Sequence, residues 1–225
     1  MKYRELADKI WYFEDVIENS DQITSSLEGW MDTENQEYMK NINMPTANFL
    51  EVTDEATFRV LDIWYNQNLE INADNYKLMG MVQWWKRGAG TGFTPHTDFA
   101  RNPIDQTFVD AHITVLGYYS DTNDYEGGEI CFDDYDVCIK PAQGSMIVMG
   151  HKAIHSVKPV ISGTRIISNQ HLVKTKDFYK CLGLEEFSLT KQDQIRIRKE
   201  YPQYENKNGN VRLSSYSDDE NKGTI

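Results

Sequence analysis

The chain has 225 residues, a length that fits one domain or one domain with short attached elements. Its 40% hydrophobic and 12% aromatic content is enough for a packed core and excludes wholesale disorder. Asp plus Glu number 35 against 23 Lys plus Arg, a net charge of −12, so there is no basic footprint for nucleic acid or anionic lipid. The three cysteines, Cys131, Cys138 and Cys181, contain no C-x-x-C and read as small buried hydrophobes. They indicate neither a disulfide scaffold nor a Cys-rich zinc site. The opening MKYRELADKIWYFED meets acidic residues within its first turns, unlike a secretory leader, and no apolar run approaches the ~20 residues that span a bilayer. The expectation is a soluble cytoplasmic protein.

In chain order, Ile10 to Ile17 (IWYFEDVI) reads as a strand, with some apolar residues at helical spacing. Asn19-Ser20-Asp21 caps a helix predicted over Gln22 to Glu28 and ended by Gly29. Residues 30–50 are polar and mixed, and read as irregular. A second helix is expected from Thr53, with Phe58, Leu61, Trp64 or Tyr65, and Leu69 as its apolar stripe.

From Tyr76 the pattern turns to short strands: YKLMGMVQWWK, FTPHTDF, FVDAHITVLGYY, GGEICF, YDVCI, SMIVM, HSVKPV and TRIISNQHLV. Gly, Pro, Asn and Asp clusters separate them. Strands without intervening helices imply an antiparallel barrel or sandwich. A helix over Thr190 to Tyr201 and a polar tail after Pro202 complete the chain. The organisation expected is a helical and strand support region (1–75), a β core (76–175), and a C-terminal helix with tail (176–225).

His96 and Asp98 are two apart in FTPHTDF, and on a strand such residues share a face. His155 follows 57 residues after Asp98, far enough for strands to leave and return. Two histidines and one carboxylate on one side of a cation leave the opposite positions open, the pattern of non-haem Fe(II) oxygen chemistry. An isolated H-x-D pair is also a common hydrogen-bonded couple. Arg165 tips the balance, because its flanks (VKPVISG and IISNQHL) read as buried strand and a buried guanidinium wants an anionic partner. His151 competes with His155, whereas His112 and His171 read as satisfied strand histidines. Of the adjacent Trp84 and Trp85, one is expected in the core and the other in a groove. Gly127 and Gly128 read as a tight strand entry.

PHTD, the YYSD strand end, GGEI, KPAQGSMIVM and HSVKPVISGTR occur in this order between about Met79 and Leu172. Together they make the chain resemble the 2-oxoglutarate- and Fe(II)-dependent dioxygenases, in the prolyl 4-hydroxylase-like branch. The resemblance implies an α+β, mainly β fold: a double-stranded β-helix (jelly-roll) core with packed N-terminal helices. It makes His96, Asp98 and His155 the iron ligands, the V-x-P-V and Gly-x-Arg context favouring His155 over His151. Arg165 would bind the distal carboxylate of 2-oxoglutarate, where collagen-type members have Lys. Tyr118 would help hold that carboxylate, and Asn169, on the face of Arg165, would add a hydrogen bond. The family often has a tyrosine on the strand before H-x-D; here Trp85 or Gln83 occupies that place, facing substrate.

The implied cofactors are Fe(II), 2-oxoglutarate as cosubstrate and O2, with L-ascorbate as a reductant. The implied reaction hydroxylates a C–H bond, foremost on a peptidyl proline, with release of succinate and CO2. A free amino acid or other small molecule is the alternative substrate, and a non-catalytic jelly-roll binding module the alternative class. Seven acidic residues and no Lys or Arg lie between Asp121 and Asp136 (DTNDYEGGEICFDDYD), a solvated loop or a lure for a basic peptide.

Overall fold

Alternating side chains in the β region build two stacked antiparallel sheets, and a helix covers the outer face of the larger one. The computed structural model describes residues 1–26, 31–32, 37–40, 47–101, 108–150 and 153–181. The N-terminal part holds β1 (Lys2–Ala7), β2 (Ile10–Glu14), α1 (Ser20–Ser26), β3 (Met31–Asp32), β4 (Glu37–Lys40) and α2 (Ala47–Gln67). The middle holds β5 (Tyr76–Arg87), β6 (Phe93–His96), β7 (Phe99–Arg101), β8 (Phe108–Asp110), β9 (Ile113–Tyr118), β10 (Tyr125–Gly127), β11 (Ile130–Phe132) and β12 (Val137–Ile139). Then follow β13 (Met146–Gly150), β14 (His155–Val157), β15 (Val160–Gly163), β16 (Arg165–Lys174) and α3 (Thr175–Cys181). The larger sheet has the order β1-β2-β13-β9-β16-β5-β4-β3 and the smaller β12-β11-β14-β6, with β10-β15 and β7-β8 as separate ribbons. The jelly-roll expectation is met. No helix among the described residues is long and apolar enough to cross a membrane.

The outer face of the larger sheet packs on α2: Ala56, Val60, Leu61, Trp64 and Tyr65 meet Phe13, Val82, Trp84, Ile113, Met146 and Leu172. Gly150 lets the Trp64 ring lie on β13, since a Cβ there would sit 2.6 Å from Trp64 Cζ2. The Trp64 indole N–H donates to Lys9 O at 3.1 Å, so burying this ring leaves its one polar atom paired. The inner face, with Leu116, Tyr118, Ile147 and Ile167, meets Ile130 and Phe132 of the smaller sheet.

Four expectations need correction. Residues 30–50 are not wholly irregular: β3 and β4 extend the larger sheet, β4 pairing with β5, and such short edge strands show no alternation long enough to detect. Helix α2 begins at Ala47, not Thr53, whose buried hydroxyl lies 3.5 Å from Tyr119 Oη instead of capping. Its stripe excludes Leu69, which is 82% exposed, because Asn68 ends the helix by donating its side-chain amide to Trp64 O at 2.7 Å. Finally, Cys131 and Cys138 are not separate hydrophobes but form a disulfide across directly opposed positions of β11 and β12. The β1 strand was also not foreseen. The predicted helix over 190–201 and the tail lie outside the described residues, as does His151.

Candidate metal and cosubstrate site

The metal-ligand candidates converge through strand register. His96 closes β6 and His155 opens β14, and the two are opposed Cα partners in one antiparallel ladder. Their ring centroids lie 4.4 Å apart. Asp98 follows β6 and turns its carboxylate between them, Oδ1 3.7 Å from His96 Nε2 and Oδ2 3.8 Å from His155 Nε2. One ligand atom from each of the three falls within 4.8 Å of the others.

Both imidazoles are oriented from behind. His96 Nδ1 lies 2.8 Å from Thr94 O and His155 Nδ1 lies 3.2 Å from Ala153 O. A carbonyl only accepts, so each Nδ1 carries the proton and each Nε2 keeps its lone pair facing the common point. Burial, the larger effect, and His96 lower the pKa of His155 against the pull of Asp98, keeping the neutral form a metal requires. Asp98 Oδ2 is buried with no hydrogen-bond partner among the described residues. A buried bare carboxylate oxygen between two imidazole lone pairs is costly unless a cation sits there. The residues fit a divalent metal with N and O ligands.

The cluster opens into a cavity of about 360 Å³. Alternation along β16 turns Arg165, Ile167, Asn169 and His171 into it, and β5 contributes Gln83, Trp85 and Arg87. Trp84, one residue from Trp85, points the other way into the helix-side core. Arg165 is 1% exposed, and none of its three guanidinium nitrogens has a hydrogen-bond partner among the described residues. Its guanidinium carbon lies 5.2 Å from the Tyr118 ring centroid, and the buried Tyr118 hydroxyl also lacks a partner among the described residues. Burial pushes the Tyr118 hydroxyl far above its ordinary range despite the opposing Arg165 charge, so it stays a neutral donor. Tyr125 is raised by the same cause with the same opposition.

Gly128 makes room for this arginine. Its φ of +71° favours glycine, and a Cβ would come within 3.2 Å of both Arg165 Cδ and the Tyr125 ring. The GGEI segment therefore does more than admit a tight strand entry. A buried cation beside a buried hydroxyl, both unsatisfied, is a receptor for a carboxylate.

His96, Asp98, His155, Arg165, Asn169, Trp85 and Gln83 all line this one cavity, and Tyr118 stands behind Arg165. The Asn169 amide is already engaged, with Oδ1 accepting from Trp85 Nε1 at 3.2 Å and Nδ2 3.2 Å from His171 Nε2. His112 lies outside the cavity lining, with Nδ1 3.0 Å from Asp110 O. Sequence reasoning missed Arg87, Phe99 and Phe108 and gave His171 no place in the site. The period of two counted on from Arg165 would have found His171. Arg87 stacks over Phe93 at 4.0 Å and Trp85 at 5.1 Å. Phe99 and Phe108 are 52% and 67% exposed at the rim and meet edge-on, 6.4 Å between centroids. A charged residue in a strand and aromatics flanking a polar loop carry no distinctive spacing.

Comparison with known proteins finds similar sequences and a similar fold. Residues 80–172 match the family model described as the 2OG-Fe(II) oxygenase superfamily. Over 118 residues the chain is 28% identical to prolyl 4-hydroxylase subunit alpha-2 of Gallus gallus, covering 47% of this chain and 22% of that protein. Over 85 residues it is 31% identical to a PKHD-type hydroxylase of Caulobacter sp. (strain K31), covering 36% of this chain and 37% of that protein. The chain thus spans well under half the length of these curated relatives. The solved structure of viral collagen prolyl hydroxylase from Paramecium Bursaria Chlorella virus-1, in its 2OG complex, superposes with a TM-score of 0.57 at 18% identity, covering 75% of this chain and 98% of that one. That likeness establishes the shared jelly-roll fold. The β core, residues 80–172, is thus similar to the 2OG-Fe(II) oxygenase superfamily, and part of the chain resembles a hydroxylase of the prolyl 4-hydroxylase kind.

Proposed function

We propose that this protein is an Fe(II)- and 2-oxoglutarate-dependent dioxygenase that hydroxylates a peptidyl proline. The observation that carries the reading is the pairing, in one cavity, of the His96–Asp98–His155 cluster with the orphaned Arg165 guanidinium. His96, Asp98 and His155 would hold Fe(II), which when bound supplies the oxidising power for C–H hydroxylation with decarboxylation of 2-oxoglutarate to succinate and CO2.

The protein's own residues bind and orient. Arg165 would form a two-pronged ion pair with the distal carboxylate of 2-oxoglutarate, and the Tyr118 hydroxyl would donate to the same group. Trp85, Phe93, Leu116, Val157 and Ile167 exclude water from the cavity. The exposed Phe99 and Phe108 at the rim offer an apolar edge for a pyrrolidine ring. A basic flank on the peptide is favoured by the acidic 121–136 stretch, where Asp124, Glu126, Asp133, Asp134 and Asp136 are exposed. Asp121 and Asp133 also have local partners, accepting from Asn123 and Ser156 respectively.

The test measures succinate release with Fe(II) and 2-oxoglutarate against matched proline peptides bearing basic or acidic flanks, at low and high salt. Turnover with the basic peptide, weakened by salt, is expected. Turnover only with free amino acids or other small molecules would overturn the peptide reading, and no succinate with any substrate would overturn the enzyme reading.

A further inference from the structure

We infer that Trp85, Asn169, His171 and Thr114 form one directional hydrogen-bond chain that holds the cavity wall, with His171 as a neutral positioning residue protonated on Nδ1.

The indole Nε1–H of Trp85 can only donate, and it lies 3.2 Å from the Asn169 amide. The amide must therefore turn its oxygen to Trp85 and its nitrogen to His171. That nitrogen can only donate, so His171 Nε2, 3.2 Å away, must present its lone pair. A neutral imidazole with a bare Nε2 carries its proton on Nδ1, which lies 3.2 Å from Thr114 Oγ1 and donates to it. Every proton in the chain is placed by the donor-only indole at its end. An imidazolium would set an Nε2–H against the Asn169 N–H donors in a site where His171 is 4% exposed.

The chain crosses three adjacent strands. Trp85 is opposed to Ile167 across the β5–β16 ladder, and His171 is opposed to Thr114 across β16–β9. It uses the two polar groups that would otherwise compete for ligands beside the metal cluster. The His171 Nε2 lone pair serves Asn169 and is no fourth metal ligand, and the Asn169 oxygen serves Trp85 in place of the cosubstrate. What it fixes is the plane of the Trp85 indole, which carries the Arg87 guanidinium over its ring at 5.1 Å. The positioning role rests on the oxygenase reading above. The proton positions do not, so the two can fail separately.

The experiment combines ring-nitrogen NMR on the 15N-labelled protein without cosubstrate with binding and turnover measurements. At neutral pH His171 should show a bare Nε2 and a protonated Nδ1. His171→Phe and Asn169→Ala should both move the Trp85 indole N–H resonance toward that of a free indole. In turnover, both should lower kcat/KM for the peptide about 3- to 10-fold. The 2-oxoglutarate dissociation constant should stay within about twofold. His171→Gln, whose carbonyl can accept from Asn169, should recover most of the loss. Thr114→Val, nearly isosteric, should disturb the His171 Nδ1–H signal if larger substitutions fail to fold. An Nε2–H tautomer, or an indole resonance indifferent to His171→Phe, would overturn the chain. A fall in 2-oxoglutarate affinity for Asn169→Ala as deep as for Arg165→Ala would return Asn169 to the cosubstrate and sink the positioning role.

Discussion

The two faces of the central strands, built from alternate residues of the same segments, do opposite things. The face toward α2 is apolar and well matched, as with Trp84 and Val82 of β5 and Leu172 of β16 against Trp64 and Leu61. The face toward the cavity carries Arg165, Asn169 and His171 from β16, with an orphaned guanidinium beside an orphaned hydroxyl. Apolar packing dominates one side, and the unsatisfied buried charge lies on the other. A fold can hold a costly charge in readiness when its neighbouring positions, one residue away, anchor the sheet.

The largest effect should come from the cavity side. Replacing His96, Asp98 or His155 with Ala should abolish metal-dependent turnover while leaving circular dichroism and the denaturation midpoint near wild type. Global unfolding of these variants would erase the distinction between the faces. The paired tryptophans sharpen it next. Trp84→Ala should cost about 3–5 kcal/mol of stability, as for large buried aromatics. Trp85→Ala should cost far less in chemical denaturation yet impair turnover more. Equal stability losses would break the comparison.

Arg165→Met separates the faces by sign. Removing an unpaired buried charge should leave the ligand-free protein as stable or more so. The same change should weaken 2-oxoglutarate binding by about 1.5–3 kcal/mol, read by calorimetry. A destabilised ligand-free variant with unchanged affinity would mean that Arg165 is structural.

Acid should act through the cavity face as well. Burial lowers the pKa of both His155 and His171 below the ordinary histidine value. As pH falls below about 6.5, the unfolded chain takes up protons that the folded rings refuse, so stability present above that value is lost on acidification. In chelator, the denaturation midpoint should drop between about pH 7.5 and 5.5, and His171→Phe should lessen the drop. A midpoint that rises on acidification would contradict it. The smallest effect is expected for Tyr118→Phe, about 1 kcal/mol in 2-oxoglutarate affinity with little change in fold.

Much of this was legible in the sequence because the relevant periods are short. The count of two from Arg165 to Asn169 carries straight into the cavity, whereas Asp98 joins His96 there from the break between β6 and β7, not by strand alternation. The strand-by-strand punctuation of 76–174 survives in part: FVDAHITVLGYY divides into β8 and β9, FTPHTDF breaks between β6 and β7, HSVKPV between β14 and β15, and GGEICF between β10 and β11. What could not be read depends on which strands lie opposite. The Cys131–Cys138 bond follows from the β11–β12 register, and the Asn169–Trp85 contact from β16 lying beside β5. Strands β3 and β4 belong to the sheet by tertiary pairing, with no propensity to announce them.

The opposition of His96 and His155 has a further consequence. Among the described residues β6 is the edge strand of the smaller sheet, laddered to β14 alone. A cation shared by His96, Asp98 and His155 would close a 57-residue loop between Asp98 and His155, as a crosslink does. Amide hydrogen exchange in 93–98 should slow on metal loading, with little change in β9 or β13 at the sheet's centre. The ion would then govern local unfolding of one edge, and with it how long the mouth of the cavity stays assembled.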